Sequence, residues 1–124
     1  MASPSLPPAI EQQYKRLQQL TSQVRVLQAQ LSQLELQFRE AENALKELEK
    51  LEDDATIYKN VGMLFFKAEV PALKEELSDK KETLDLRVKT IRKQEERARK
   101  KFEELRERLS RQIAAHQEEG RIAG

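Results

Sequence analysis

The chain has 124 residues, of which 38% are hydrophobic, 5% aromatic and 36% charged. This composition is too poor in apolar side chains for a compact core, and it suits long helices that each bury a narrow apolar seam. The formal net charge of +1 argues against a general polyanion-binding protein, and the absence of cysteine excludes disulfides and thiolate chemistry. The sequence shows neither a secretory signal nor a membrane-spanning apolar run, so we expect a soluble cytoplasmic protein.

Residues 1–8, "MASPSLPP", contain three of the four prolines and are predicted to form a flexible N-terminal arm. A first coiled-coil helix is predicted over residues 9–53, because two columns of apolar residues each recur every seven positions. The first column holds Ile10, Leu17, Val24, Leu31, Phe38 and Leu45, and the second holds Leu20, Leu27, Leu34, Ala41 and Leu48. Gln13 is the one gap in this seam.

The seam stops at Asp53 and Asp54, which are poor helix formers and interact unfavourably with the C-terminal end of a helix dipole. β-Branched and aromatic residues then cluster around Gly62. This pattern predicts a β-hairpin over residues 55–69, with its turn at Gly62 and with Met63–Phe66 in the second strand.

A second coiled-coil helix is predicted over residues 71–117, because Pro71 suits a first helical turn and an apolar seam follows it. This seam runs through Leu77, Leu84, Val88, Ile91, Ala98, Phe102, Leu105 and Leu109, and it is interrupted by Lys81, Glu95 and Gln112. Residues 118–124 are predicted to form a flexible C-terminal tail. The predicted fold is therefore mainly α: a long antiparallel two-helix coiled coil with one β-hairpin at the connecting end.

The hairpin is predicted to be an oligomerisation element. An isolated two-stranded hairpin is marginally stable in water, and its contiguous apolar residues would face solvent on both sides. Pairing with the hairpins of other subunits would bury them, whereas the alternative is that they merely cap their own coiled coil. The predicted oligomerisation residues are Ile57, Tyr58, Val61, Gly62, Met63, Leu64, Phe65 and Phe66.

The segment "LEDDATIYKNVGMLFFK", followed by "ALKEELSDKKETLDLRVKTIRKQEER", closely resembles the beta-type subunit of prefoldin, especially its archaeal form. The matching pattern is an acidic pair, a Tyr-Lys, a Val-Gly and a short apolar strand that ends in lysine. In this chain these residues are Asp53, Asp54, Tyr58, Lys59, Val61, Gly62, Met63–Phe66 and Lys67. The motif covers about residues 51–97, and the single hairpin is similar to the beta type because the alpha type carries two.

The resemblance implies a prefoldin-like hexamer of two alpha and four beta subunits, whose hairpins form a central double β-barrel. It also implies an ATP-independent chaperone, a holdase that binds unfolded polypeptides at its coiled-coil tips and delivers them to a group II chaperonin. We expect no cofactor, and neither nucleic acid nor a membrane among its partners. The alternative function is a structural coiled-coil adaptor or scaffold protein, in which the hairpin is only a local cap.

The second predicted functional surface is the tip, which we define as residues 6–17 together with residues 109–122. Apolar residues there exceed what a two-helix seam buries at a frayed end, and flexible apolar termini suit the capture of varied chains. The ordinary alternative is seam residues followed by a disordered tail, and the resemblance favours client binding. The predicted client-binding residues are Leu6, Ile10, Tyr14, Leu17, Leu109, Ile113 and Ile122.

The second helix is basic, with its densest charge in "RARKK" at residues 97–101. A solvated helix face is one interpretation, because acidic residues interleave with the basic ones. A contact with an acidic rim of the chaperonin is another, and nucleic-acid binding is disfavoured because the run has no aromatic platform and the overall charge is nearly balanced. The candidate chaperonin-contact residues are Arg97, Arg99, Lys100, Lys101, Arg108 and Arg111.

We expect no enzymatic activity, no catalytic residues and no metal site. His116 is the only histidine, and without cysteine it has no companion with which to form a nucleophile pair. Asp53 and Asp54 are better explained as a helix-end signal than as metal ligands, since no ligand spacing surrounds them. The sequence also lacks a glycine-rich phosphate-binding loop.

Overall fold

The computed structural model describes residues 6–123 of the chain and the side chains of residues 6–121. Its elements follow the order α1 (Pro8–Glu49), β1 (Ile57–Val61), β2 (Leu64–Ala68) and α2 (Val70–Ala123). Two long helices thus flank one antiparallel hairpin in the sequence, and the predicted mainly α fold class is confirmed.

Helix α1 begins at a pair of prolines. The carbonyl oxygen of Pro7 accepts hydrogen bonds from the amides of Ile10 and Glu11, each at 3.0 Å. Pro8 lies in the first turn, where the missing amide hydrogen would have had no partner within the helix. Glu11 adds a negative charge near the positive end of the helix dipole. Residues 1–5 of the predicted arm lie outside the described residues.

Helix α1 ends at Glu49, before the predicted end at residue 53. Its last turn tightens, because the amide of Leu51 donates to the carbonyl of Leu48 at 3.1 Å in the manner of a 3₁₀-helix. Residues 52–55 then form a separate turn, closed by a 3.0 Å hydrogen bond from its last amide to its first carbonyl. The two aspartates at the centre of this turn accompany the end of the helix, as their low helix propensity predicts.

The hairpin closes through a two-residue turn. Val61 pairs with Leu64 at the end of the ladder, which leaves Gly62 and Met63 as the turn residues. Gly62 has a φ of 62°, a backbone conformation that glycine adopts without steric cost. Only the first of the two central residues has positive φ, which matches a type II′ turn. The predicted turn position is correct, but Met63 lies in the turn and the second strand starts at Leu64.

Helix α2 starts at Val70, whose side chain is completely buried. The amide of Leu73 donates to the carbonyl of Glu69 at 3.0 Å, and Pro71 lies in the first turn as predicted. The helix continues to Ala123, so residues 118–123 are helical and the predicted tail boundary after residue 117 is wrong. Most residues of this segment are good helix formers, and its one glycine costs only about 1 kcal/mol relative to alanine.

The chain divides into two compact units, each built from parts of both helices. The second unit comprises Gln30–Ile91 and therefore includes the hairpin. Its core is an apolar cluster in which α1 and α2 residues pack together, and it consists of Leu34, Leu84 and Val88 with Leu31, Phe38 and Ile91 around them. These are all seam positions of the predicted heptads.

Lys81 interrupts the α2 seam within the second unit, yet its charge is well accommodated. Its Nζ lies 5.5 Å from the centroid of the Phe38 ring and 3.4 Å from Oε2 of Glu42. A cation over an aromatic face is attracted to the ring quadrupole, while the aliphatic stem of lysine covers apolar surface. The lysine thus replaces an apolar seam residue without leaving its charge unpaired.

The first unit combines the residues up to Ala29 with those from Arg92 onward. Its buried apolar residues again come from the predicted seams of both helices, and they are Ile10, Leu20, Leu27, Ala98 and Leu109. Glu95 interrupts this seam as a buried carboxylate. Its Oε1 accepts a 3.3 Å hydrogen bond from Nε2 of Gln28 and lies 3.7 Å from Nε of Arg99, so the buried charge is partnered.

Replacing Leu84 with alanine should lower the free energy of unfolding by about 2–4 kcal/mol, because Leu84 is buried in the cluster with Leu34 and Val88. Leu86→Ala is the matched control, since Leu86 lies two residues away on the same helix and is exposed. It should change stability by about 0.5 kcal/mol or less. Urea denaturation followed by circular dichroism at equal protein concentrations measures both, and equal losses would contradict this description of the core.

Candidate functional site

The first candidate surface is formed by apolar side chains of the hairpin that no part of the described chain covers, and they lie on both of its faces and at its turn. The exposed residues are Tyr58, Val61, Met63, Leu64, Phe65 and Phe66. Met63 at the turn is 97% exposed and Phe65 is 72% exposed, so neither packs on the helices of its own chain. Ile57 alone among the predicted oligomerisation side chains is half-buried.

The two faces of the hairpin differ in what they contact. Cross-strand partners share a face, so Ile57, Lys59 and Val61 lie on one face with their partners Ala68, Phe66 and Leu64. Near the helices this face is partly covered, because Ile57 and Ala68 are half-buried. The opposite face carries Tyr58 paired with Lys67 and Asn60 paired with Phe65, and all four of these residues are exposed.

One ion pair joins the hairpin to a helix in the described part of the chain. Nζ of Lys59, in the middle of β1, donates to Oε1 of Glu76 in α2. Lys59 lies on the hairpin face that is turned toward the helices, and both residues belong to the second unit. The other described ion pairs join residues of the helices, except that Lys50, which pairs with Glu47, lies directly after the end of α1.

At the tip, the predicted client-binding residues differ widely in exposure. Tyr14 is 49% exposed, whereas Ile10 and Leu109 are buried. The remaining predicted residues with described side chains, Leu6, Leu17 and Ile113, are half-buried. The side chain of Ile122 lies outside the described residues.

The tip also contains a cavity of about 280 Å³ between the two helices of the first unit. Its lining includes Ile10 and Gln13 from α1 and Gln112 and His116 from α2. The Oε1 atoms of Gln13 and Gln112 are both buried and have no hydrogen-bond partner among the described residues. This layer of the seam is therefore polar, and it gains less from apolar burial than the leucine layers of the same seam.

Sequence reasoning identified Gln13 and Gln112 only as separate gaps in two seams. In an antiparallel coiled coil the start of the first helix lies beside the end of the second, which brings the two gaps together. Heptad spacing alone does not reveal their shared layer, because it describes each helix separately.

A family model described as prefoldin subunit matches residues 11–116, which is most of the chain. The chain belongs to the prefoldin subunit family. The crystal structure of the prefoldin beta subunit from Thermococcus strain KS-1 is similar to it, with a TM-score of 0.75 and 32% sequence identity. That match covers 85% of this chain and 92% of the Thermococcus chain. A search among curated proteins found no match.

The resemblance to a beta-type prefoldin subunit that the hairpin motif predicts is therefore confirmed, and with it the role of a chaperone subunit. Prefoldin subunits are chaperones rather than enzymes. The described residues contain no group of three or more acidic or histidine residues that could hold a metal ion. Among the described helices, none combines the length and the apolar character that crossing a membrane requires.

The candidate chaperonin-contact residues of this prefoldin subunit lie on the surface of α2. All six candidate chaperonin-contact residues are exposed: Arg97, Arg99, Lys100, Lys101, Arg108 and Arg111. Arg99 is engaged with Glu95, whereas Arg97 and Lys101 line a groove of about 200 Å³ with Leu27 of α1. Phe102, the aromatic residue directly after the run, is half-buried and does not offer an open stacking face.

Proposed function

We propose that this chain is the beta-type subunit of an ATP-independent cytoplasmic holdase. In this proposal four copies assemble with two alpha-type subunits through their hairpins, and the tips bind unfolded polypeptides for delivery to a group II chaperonin. The observation that carries the proposal is the row of exposed apolar side chains on the hairpin, which the chain itself leaves uncovered. Membership of the prefoldin subunit family supports the rest.

The hairpin needs neighbours for energetic reasons. Fully burying one large apolar side chain contributes about 1.5–3 kcal/mol, and six such side chains on this hairpin are exposed. A two-stranded sheet also has two open edges, each with unpaired backbone amides and carbonyls. Hairpins of other subunits would cover both the side chains and the edges. If the hairpin only capped the helices of its own chain, Met63 and Phe65 would remain exposed.

The tip is suited to adaptable capture. Tyr14 offers apolar surface directly, and Leu6, Leu17 and Ile113 offer part of theirs. Ile10 and Leu109 are buried against the opposite helix and become available only if the helix ends separate. The polar layer of Gln13 and Gln112 lowers the cost of that separation, because less apolar burial is lost there than in a layer of leucines.

The exposed basic side chains of α2 are the surface that we propose for the chaperonin. Their exposure and their positive charge suit an acidic partner, and charge complementarity would speed the encounter. A merely solvated face remains the alternative for this stretch. The nearly balanced total charge and the half-buried Phe102 disfavour a nucleic-acid surface.

Introducing Leu64→Asp together with Phe65→Asp should prevent assembly, because two charges would then lie in the apolar contact between hairpins. Leu86→Asp is the control, since Leu86 is equally apolar and exposed but lies on α2 away from the strands. Sedimentation velocity should show the full oligomer for the wild type and for the control, and only small species for the double variant. A double variant that still sediments as the full complex would refute the proposed role of the hairpin.

Tyr14→Asp should weaken the suppression of client aggregation while leaving the oligomer intact. The loss of one apolar contact per beta subunit should raise the chaperone concentration needed for half-maximal protection about fivefold. Light scattering of a chemically denatured client during dilution measures this concentration.

Leu36→Asp provides the matched control for the tip. Leu36 lies on the same helix and is 47% exposed, nearly the same as Tyr14, but it belongs to the second unit. Protection by Leu36→Asp should equal that of the wild type. If the two variants protect equally well, or if the Leu36 variant is the weaker one, the tip is not where clients bind.

A further inference from the structure

The hairpin is anchored to the rest of the second unit by few contacts. Its turn and its open face are exposed, and only Ile57, Lys59 and Ala68 among the strand residues are half-buried. The strands connect to the helices through the turn of residues 52–55 and through Glu69. A two-stranded sheet has little stability of its own, so the few side chains that join it to the helices contribute strongly to its orientation.

The ion pair between Lys59 and Glu76 supplies such a constraint. It joins residues 17 positions apart, one in the middle of β1 and the other on α2 after its first turn. The stem of Lys59 lies beside Phe66, its cross-strand partner, on the face turned toward the helices. The side chains of Lys59 and Glu76 are 39% and 55% exposed, so the pair contributes little to the stability of the chain itself.

The same ion pair can contribute more to assembly than to folding. Hairpins that must meet in one arrangement bind more tightly when each already holds the bound orientation, because less conformational freedom is lost on association. A contact that is nearly neutral for folding can therefore matter for assembly. Its contribution to the free energy of assembly is also multiplied by the number of subunits that carry it.

We infer that Lys59 and Glu76 are positioning residues for assembly: their ion pair sets the angle of the hairpin on α2 so that the apolar strand residues meet those of neighbouring subunits. The inference rests on the proposed assembly through hairpins. It also gives a role to Lys59, which the sequence motif contains but which is not part of the apolar contact surface.

The test measures the concentration at which the full-length chain assembles with an alpha-type subunit. It compares the single variants Lys59→Met and Glu76→Gln with a charge-reversed double variant, which combines Lys59→Glu and Glu76→Lys. Loss of an exposed ion pair should lower the equilibrium constant for adding one subunit about threefold. For the four copies in one complex, the overall assembly constant should fall on the order of 80-fold. Both single variants should require correspondingly higher concentrations to assemble. The reversed pair should restore much of the loss, whereas urea denaturation of the unassembled chain should hardly change.

Lys89→Met is the matched control. Lys89 forms an ion pair with Asp85 on α2 at 2.9 Å, at comparable exposure and in the same unit, but without contact to the hairpin. Its removal should leave assembly unchanged. Raising the salt concentration should reduce the difference between the wild type and Lys59→Met, because an exposed pair is screened.

Three results would overturn the inference while leaving the proposed function in place: unimpaired assembly of both single variants, impairment by Lys59→Met without impairment by Glu76→Gln, or no rescue by the charge-reversed pair. The second of these would mean that Lys59 contacts the neighbouring subunit directly. If the wild-type chain itself forms no oligomer, the proposed assembly fails and the inference fails with it.

Discussion

The chain carries an apolar surface that it cannot bury, and this constraint organises the rest of the molecule. Met63, Leu64, Phe65 and Phe66 follow one another around the turn and into β2, so they project on both faces and cannot all lie against one pair of helices. In water such a surface drives association. The helices bury their own seams within each unit, which leaves the hairpin as the place where this subunit needs others.

The residues that stabilise the packing of the two helices therefore differ from those of the hairpin and tip surfaces. Leu34, Leu84 and Val88 hold the helices together in the second unit, and partnered polar groups such as Glu95 with Gln28 complete the seam in the first. At the tip the seam contains Gln13 and Gln112, and this polar layer contributes less apolar burial than the leucine layers do. In the proposed function such a layer is useful, since the buried residues beside it can become available to unfolded chains at modest cost.

Much of the fold could be predicted because its signals are local. Heptad spacing identified every buried apolar seam residue of α1, and Gly62 marked the turn because a positive φ is required there. The predicted end of α2 is too early, because residues 118–123 continue the helix despite their single glycine and lack of an apolar seam. Met63 lies in the turn rather than the strand, since hydrophobic pattern does not distinguish a two-residue turn from a strand end.

The candidate surfaces are harder to predict, because they depend on contacts between distant residues. No spacing rule pairs Lys59 with Glu76, since their contact exists only once the hairpin has a definite angle on α2. Ile10 and Leu109 were expected to be available at the tip, yet each is buried against the opposite helix. Whether an apolar side chain near a helix end is exposed depends on how far the seam continues. The number of apolar residues there does not reveal where the seam ends.

Native mass spectrometry of the chain, alone and after mixing with an alpha-type prefoldin subunit, tests the central claim most directly. The hairpin account predicts that mixing yields a complex of six subunits that contains four copies of this chain. If the chain remains a monomer or a simple dimer under both conditions, the exposed hairpin does not drive assembly, and a structural coiled-coil adaptor becomes the better description.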